Sequence, residues 1–414
     1  MYDWANSAFS TTVIAAFFPI YFKQYWSQGI ETTQSTAVLG VANSIAGLLV
    51  AVMAPVIGAI ADVGSQKKKF LIFFAYLGVL CTAALFLVHQ GEWLLAAIIY
   101  VLGSVGFSGS LVFYDSLLPS ITDKSKIDYV SGLGYGLGYL GGGILLALNV
   151  WMTLSPETFA LNDSGQAVKI SFLTVAIWWG LFSLPIILFV KEPKRAVSQF
   201  ETGVVFGGLQ QLLQTFRKIR HLKTVFLFLV AYWLYIDGVD TIVRMAVDYG
   251  LSIGFERNDL IVALLITQFV GFPCAIFFGR LGEKYGPKRG IFIAIGIYLF
   301  VVGWATMMDH KLEFYGLAFT VGLVQGGIQA LSRSYYSRII PHDQSGEFYG
   351  FYNLLGKFAV ILGPILIGMT GLISKSSRVG IASIAVLFLA GGVLLYFVDE
   401  KKGAEEVKYL SLSK

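Results

Sequence analysis

Long apolar runs separated by short polar stretches dominate the pattern of this chain. A helix needs about 20 apolar residues to cross the hydrocarbon core of a bilayer. The chain supplies twelve such runs, and an even number of spans puts both termini on the same side. The predicted helices cover approximately residues 2–25, 36–61, 70–89, 93–118, 130–152, 170–190, 224–247, 258–280, 289–308, 313–338, 348–373 and 379–398.

Composition agrees with a bilayer as the solvent. Of the 414 residues, 56% are hydrophobic and 13% are charged, and the mean hydropathy is +0.72, which excludes a water-soluble chain. The 46 glycines and the 33 Phe, 21 Tyr and 8 Trp are typical of closely packed membrane helices with interfacial aromatic side chains. We therefore expect an all-α integral membrane protein, whose first run lacks a basic leader and is retained as a span.

Basic residues are unevenly distributed between the loops. The loops and tail on the side of the termini carry 22 Lys and Arg, whereas the opposite loops carry six. Because basic loops stay in the cytoplasm, this bias predicts cytoplasmic termini. The net charge of +5 forms no sustained basic face, so we expect no nucleic-acid partner.

The sequence offers little metal or nucleotide chemistry. Cys81 and Cys274 lie in apolar runs and are interpreted as packing residues. The four histidines share no spacing that would assemble a metal site, and no phosphate-binding G-x-x-x-x-G-K-[ST] motif occurs. We expect no metal, no cofactor and no ATP-driven pump, and a monomeric protein.

Motifs recur in the same order in the two halves of the chain. Residues 3–7 match 237–241 in acid, polar and hydroxyl positions, and 114–119 match 336–341. This register predicts two six-helix pseudo-repeats. Apolar residues at helical spacing beside basic ones predict an amphipathic helix between the halves, with a solvated linker as the alternative. The expected units are an N-terminal bundle (1–190), a cytoplasmic linker (191–223), a C-terminal bundle (224–400) and a cytoplasmic tail (401–414).

The loop between helices 2 and 3 and the loop between helices 8 and 9 form a further matching pair. Each has a glycine, a carboxylate and then basic residues, and the second copy is the more complete. Both resemble the signature loop of the major facilitator superfamily. The resemblance implies the twelve-helix fold of that superfamily, with these residues holding the cytoplasmic helix ends together. They are Gly58, Asp62, Gly279, Glu283, Gly286 and Arg289.

Four segments resemble the vacuole effluxer family, which comprises autophagy-related amino-acid exporters and their bacterial relatives. They are YDWANSAF at 2–9, FYDSLLP at 113–119, SGLGYGLGY at 131–139 and YIDGVD at 235–240. The resemblance spans the chain and implies a secondary transporter of amino acids, not an enzyme, in a bacterial inner membrane. Relatives usually carry further residues before this signature, so we expect either that the inner end of helix 1 is missing or that the start of the chain is misplaced.

Ionisable residues lie deep inside predicted helix 7. Asp237, Asp240 and Arg244 are spaced i, i+3 and i+7, which puts them on one face near the midplane. Because such groups are costly at this depth, we expect them to face a cavity, with a purely structural pair of Asp240 and Arg244 as the alternative. Arg244 is expected to keep Asp240 ionised, which leaves Asp237 to exchange a proton.

Polar residues of other helices are expected to complete the site. Gln325, Gln329 and Arg333 form a stripe that either lines a path or joins helices. The expected substrate-binding residues are Asn6, Asp237, Asp240, Gln325, Gln329, Asn353 and Lys357. The expected proton-coupling or gating residues are Asp3, Asp115, Asp237 and Arg244, with a plain interfacial acid as the alternative for Asp115.

Three functions are compatible with these residues. The leading hypothesis is a secondary transporter that moves a small polar or zwitterionic solute by alternating access, with proton coupling. A transporter of lysolipid or another amphiphile with the same fold is the alternative. An intramembrane aspartyl protease is less favoured, because the segment after Tyr114-Asp115 reads Gly132-Leu-Gly-Tyr135 and lacks a second aspartate.

Overall fold

The computed structural model describes residues 1–29, 32–64, 66–192, 222–252, 257–308, 310–358 and 362–412. Within these ranges the chain is almost entirely helical and contains no strand. The helices are α1 (Tyr2–Trp26), α2 (Thr32–Gly64), α3 (Lys67–Ala84), α4 (Trp93–Ile121), α5 (Ile127–Leu154), α6 (Ser164–Phe189), α7 (Lys223–Ser252), α8 (Arg257–Tyr285), α9 (Pro287–Met307), α10 (Lys311–Ile339), α11a (Ser345–Phe358), α11b (Leu362–Ser374), α12 (Arg378–Phe397) and α13 (Glu400–Leu412).

The predicted membrane spans are present as helices. In the described part of the chain, eleven helices are long and apolar enough to cross a membrane, and α11b is a shorter apolar helix that shares the eleventh span with α11a. Phe189, Leu372 and Tyr396 are more than two-thirds exposed on the outside of the bundle. A surface of this kind is stable against lipid rather than water, and the predicted all-α membrane fold is confirmed.

Buried apolar side chains form two clusters. One is drawn from α1–α6, where Trp179 fills the space beside Gly78, and the other from α7–α12, where Tyr298 stacks on Phe388 at 5.1 Å. We call these groups of helices the N-half and the C-half. The predicted linker at 191–223 lies mostly outside the described residues, which leave out 193–221.

The halves pack most closely along α5 with α8 and along α2 with α11a. A Cβ atom on Gly132 would lie 2.6 Å from the carbonyl oxygen of Ala275, and one on Gly350 would lie 2.6 Å from the Cα of Pro55. No side chain fits at either glycine, so backbone meets backbone. Both contacts lie toward the end of the bundle where α1 begins and α12 ends, which we call the termini side; the other end is the opposite side.

Helix α1 is not a regular α-helix. It is π-helical over Phe9–Phe17 and Phe22–Trp26, and Pro19, which has no N–H to donate, lies between these segments. The hydroxyl of Thr11 donates to the carbonyl of Ser7 at 2.9 Å. Long π-helical segments are rare in proteins, and those that occur are often found at functional sites. The segment Phe9–Phe17 lies where α1 borders the space between the halves.

Most of the predicted tail forms helix α13, which packs on the C-half. The Glu406 carboxylate accepts hydrogen bonds from the backbone N–H and the hydroxyl of Thr224, both at 3.1 Å. It thereby satisfies the first turn of α7, whose backbone donors have no partner within the helix. Glu400 at the start of α13 binds Arg338 of α10 at 3.3 Å.

Candidate functional site

A cavity of about 450 Å³ lies between the two halves. Its apolar lining includes Leu260, Met308 and Phe314, which lie where α8, α9 and α10 reach the opposite side. Most of its polar lining lies toward the termini side, where the cavity ends. The polar lining residues are Asp3, Asn6, Ser7, Ser10, Thr11, Asp115, Tyr135, Tyr139, Tyr232, Thr267, Gln268, Gln325, Gln329, Arg333, Tyr352 and Asn353.

Arg333 forms the centre of the cavity floor, which we define as Asp3, Asp115, Arg333 and Asn353. It is only 2% exposed and reaches from α10 of the C-half into the N-half. Its Nη1 lies 3.1 Å from Asp115 Oδ1, and its Nη2 lies 3.7 Å from Asp3 Oδ2. Its Nε and Nη2 also donate to the hydroxyl and carbonyl oxygens of Ser131, at 3.0 and 3.1 Å. One guanidinium therefore joins α1, α4 and α5 to the C-half.

The two floor carboxylates have additional donors. Asn353 Nδ2 donates to Asp115 Oδ2 at 3.3 Å, and the Tyr114 hydroxyl donates to Asp3 Oδ2 at 2.6 Å. Two carboxylates thus share one guanidinium in a site where buried charges need partners. The floor can accept a further positive charge or a proton.

Aromatic rings fix the position of the guanidinium. Its carbon lies 4.4 Å from the ring centroid of Tyr135 and 5.4 Å from that of Tyr114. Cation–π attraction of this kind is strongest where water is excluded. The Tyr349 hydroxyl donates to the backbone carbonyl of Arg333 at 2.8 Å, which ties α11a to the same point of α10.

A second group of contacts lies closer to the termini side, between α2 and α11a. Asp62 pairs with Lys67 at 2.8 Å and accepts hydrogen bonds from the backbone N–H groups of Gly346 and Glu347, at 3.0 and 2.8 Å. Lys67 Nζ donates to Ser345 Oγ at 2.7 Å. A carboxylate of the N-half therefore caps the first turn of a C-half helix, where negative charge is favoured.

A third contact joins α5 to α10. The fully buried Asp128 pairs with Arg338 at 2.5 Å, and Arg338 also binds Glu400 of α13. Together with the floor and the α2 contact, this closes the termini side. A buried ion pair contributes little net free energy when water can hydrate both partners once they separate. Such contacts therefore suit a gate that opens and closes. The N-half supplies four buried carboxylates to this closure, Asp3, Asp62, Asp115 and Asp128.

The two signature loops differ in what they contact. Asp62 of the first copy is buried in the α11a contact, whereas Glu283 and Arg289 of the second copy are exposed. Gly279 packs against Gly132 of α5, and Gly286 adopts a positive φ of 88° immediately before Pro287 begins α9. The more complete copy in sequence thus provides close packing and a turn, and the less complete copy provides the ionic contact.

Four of the expected substrate-binding residues line the cavity, namely Asn6, Gln325, Gln329 and Asn353. Gln329 Oε1 accepts a hydrogen bond from the Tyr139 hydroxyl at 3.2 Å. Asn6 Nδ2 and Gln325 Oε1 are buried and have no hydrogen-bond partner among the residues that the structure describes. Buried polar atoms are normally paired, so this donor and this acceptor are available to a ligand.

The acids of α7 lie outside this lining. Neither Asp237 nor Asp240 is among the described residues that border the cavity. Asp237 is fully buried and accepts hydrogen bonds from the backbone N–H groups of Leu362 and Gly363, at 3.0 and 2.8 Å. The side chains of Arg244 and Lys357 lie outside the described residues, and the expected roles of all four side chains stay predictions.

Sequence reasoning did not identify Arg333 as the partner of Asp3 and Asp115, nor the contributions of Tyr114 and Ser131. The sequence did contain one signal for this pairing, which is how deep each residue lies within its membrane span. Asp115 and Arg333 each lie six residues before the end of their helices, α4 and α10, which both end on the termini side. An arginine at that depth needs an acid at the same depth, and Asp115 satisfies this condition.

Comparison with known proteins decides the family. The model of the vacuole effluxer Atg22-like family matches residues 1–408. The chain belongs to the vacuole effluxer family. The uncharacterized MFS-type transporter YxiO of Bacillus subtilis is 40% identical to this family member over 408 residues, which cover 98% of this chain and 95% of the relative.

More distant comparisons agree with this assignment. Autophagy-related protein 22 of Saccharomyces cerevisiae is 25% identical to this vacuole effluxer family member over 402 residues, with 83% of this chain and 74% of the relative covered. Among solved structures, the proton:xylose symporter XylE aligns with a TM-score of 0.75 at 12% identity, covering 99% of this chain and 96% of XylE. The family member is a multi-pass membrane transporter of the major facilitator superfamily, not an enzyme.

Proposed function

We propose that this vacuole effluxer family member moves small zwitterionic solutes, amino acids above all, by alternating access. The observation that carries the proposal is the cavity floor, where Arg333 lies between Asp3 and Asp115. A guanidinium matches a solute carboxylate, and the two carboxylates match a solute ammonium group. The family resemblance implies the same solute class.

Solute binding and gate opening use the same charges in this proposal. A solute carboxylate that binds Arg333 competes with Asp115 and Asp3 for the guanidinium, and the solute ammonium group pairs with the carboxylates that are released. The N-half and the C-half then separate at the floor without leaving a buried charge unpaired, which would be costly. The solute therefore lowers the barrier to its own release on the termini side.

Proton coupling is part of the proposal, and Asp3 is its leading site. Both oxygens of Asp115 accept hydrogen bonds, from Arg333 and Asn353, whereas Asp3 accepts through Oδ2 from Tyr114 and has no donor at Oδ1 in the described part of the chain. Asp3 Oδ1 is therefore the carboxylate oxygen of the floor that is left open to a proton or to the ammonium group of a solute. The proton role expected for Asp237 is the competing assignment.

We place the protein in the bacterial cell membrane as a monomer with cytoplasmic termini. The loop bias of 22 to six basic residues supports this orientation, and the Bacillus relative fits such a location. In this orientation the cavity is closed toward the cytoplasm.

The apolar upper part of the cavity supports a second candidate function. Above the floor, Leu146, Val301 and Leu317 present aliphatic surface that would suit the chain of a lysolipid or another amphiphile. The same surface would also accept an apolar amino-acid side chain, so the two candidates differ in the polar group that binds the floor.

Reconstituted protein in liposomes tests both candidates. Uptake of a panel of labelled amino acids and of a labelled lysophospholipid is measured with and without an imposed pH gradient. We expect saturable amino-acid uptake that responds to the gradient and is lost in Arg333→Gln. Uptake of lysolipid without uptake of amino acids would favour the amphiphile transporter over the amino-acid transporter. Equal amino-acid uptake with and without the gradient would contradict proton coupling.

A further inference from the structure

The structure describes two helices in the eleventh membrane span and leaves out residues 359–361 between them. Helix α11a begins at Ser345 and helix α11b begins at Leu362. The first backbone N–H groups of a helix have no partner within the helix, and an unsatisfied N–H group inside a bilayer costs several kcal/mol. Each start therefore needs an acceptor from elsewhere in the protein.

A carboxylate from a neighbouring helix caps each start. Asp62 of α2 accepts from the N–H groups of Gly346 and Glu347, as described above. Asp237 of α7 accepts from the next start in the same way, through Oδ2 from Leu362 and through Oδ1 from Gly363. Thr241, one turn along α7, donates its hydroxyl to Asp237 Oδ1 at 3.1 Å.

A glycine follows the first residue of each helix and allows the close approach. A Cβ on Gly346 would lie 2.7 Å from the backbone oxygen of Gly58. A Cβ on Gly363 would overlap Thr241 and lie 2.8 Å from Asp237 Oδ1. Both helices are thus pressed onto the helix that supplies the carboxylate.

The two caps differ in the half of the protein that supplies the carboxylate. Asp62 belongs to the N-half, and α11a is also tied to the N-half through Asn353 and Asp115 and through the contact of Gly350 with Pro55. These ties must break when the termini side opens. Asp237 belongs to the C-half, to which α11b itself belongs, so opening does not require this contact to break.

We propose that Asp237 is a positioning residue that anchors α11b to α7 throughout the transport cycle, while the ties of α11a to the N-half are made and broken. Each of its carboxylate oxygens accepts a hydrogen bond from a backbone N–H group of α11b. The anchor satisfies the start of α11b independently of the position of α11a. This role does not depend on which solute is carried.

Distances between pairs of spin labels, measured by electron–electron double resonance, test the anchor directly. Spin labels at Met369 of α11b and Phe300 of α9, both largely exposed, report the position of α11b within the C-half. A second pair at Phe300 and Leu389 of α12 is the control, because it does not include α11b. Cys81 and Cys274 are replaced by alanine beforehand.

We expect Asp237→Asn to increase the population outside the native Met369–Phe300 distance roughly tenfold, as expected for the loss of one charge-assisted hydrogen bond. Asp237→Ala should increase this population further, since Asn keeps one acceptor oxygen and Ala keeps none. The control pair should stay unchanged. Transport should show a lower maximal rate at an unchanged half-saturating solute concentration.

A glycine pair provides matched variants that retain the carboxylate. Gly363→Ala places a methyl group against Asp237 and should reproduce the altered distances, whereas Gly368→Ala in the same helix meets no atom within 4 Å and should not. An unchanged Met369–Phe300 distance in Asp237→Asn and Gly363→Ala would overturn the proposal. Loss of only the pH-driven component of transport in Asp237→Asn would instead assign the proton to Asp237.

Discussion

Arg333 is the residue on which closure of the termini side depends most, through its guanidinium group. Its contacts reach Asp3, Asp115 and Ser131 in three helices of the N-half. Removing one partner of a buried ion cluster is far more costly than hydrating all partners together. The same cluster can therefore hold the two halves together in one state and release them in another.

Arg333→Gln is expected to leave two floor carboxylates without their cation. The closed state should lose roughly 3–5 kcal/mol, which a thermal melt in detergent detects as a lower apparent Tm. Arg333→Lys keeps the charge but not the fork geometry and should lose less. Adding Asp115→Asn to Arg333→Gln should recover part of the loss, and an unchanged Tm in Arg333→Gln would contradict the role assigned to the cluster.

His342 lies between α10 and α11a, outside the membrane-spanning helices. His342 is exposed, but desolvation by the neighbouring protein lowers its pKa, and the nearby Lys124 and Lys67 lower the pKa further, against the opposite effect of Asp343. The folded state therefore holds this proton less tightly than the unfolded state, so His342 costs stability as the pH falls below its ordinary pKa of about 6.5. Between about pH 7.5 and 5.5, His342→Asn should lose less apparent Tm than the wild type; parallel pH profiles would refute this.

At the scale of elements, the apolar runs predict where helices are but not where their backbones deviate. Span length alone indicates the twelve crossings, because an uninterrupted apolar run has no other stable environment. The first described N–H groups of α11b donate to Asp237, which is 125 residues away from Leu362 in sequence. Such a contact leaves no local pattern, and neither do the π-helical segments of α1.

The contact of α2 with α11a predicts the effect of a single methyl group. In Gly350→Ala the new Cβ would lie 2.6 Å from Pro55 Cα and 2.8 Å from the carbonyl oxygen of Ala54. Overpacking of this kind costs about 1–3 kcal/mol, and it should lower both the apparent Tm and the rate of solute uptake. Gly296→Ala in α9 meets no atom within 4 Å and is the matched control. Equal behaviour of the two variants would show that the closure tolerates separation of these helices.

At the scale of the whole molecule, the two halves meet on the termini side and enclose a cavity that extends toward the opposite side. The repeat and the signature loops predict two halves that face each other, and the polar stripe of α10 lies along the cavity between them. The charge network could not be predicted, because it joins acids of one half to donors of the other. Arg333 and Asp115, for example, are 218 residues apart.

The twelve-helix arrangement and the distribution of basic loops predict the sidedness of the protein. Ser125 lies in the loop between α4 and α5, Ser164 lies at the start of α6, and both are exposed. Single cysteines at these positions should react with an impermeant maleimide from opposite faces of the membrane, Ser125→Cys from the cytoplasmic face. Reaction of both from one face would contradict the topology.

Accessibility of a cavity residue tests the central claim, that the halves open alternately around the Arg333 cluster. Ser10 lines the cavity just above the floor and is half-buried. With Cys81 and Cys274 replaced, Ser10→Cys should react with an impermeant maleimide only from the opposite side in the wild-type background. With Arg333→Gln it should react from both sides, with Ser125→Cys and Ser164→Cys reporting vesicle orientation. Reactivity confined to the opposite side in both backgrounds would contradict the account.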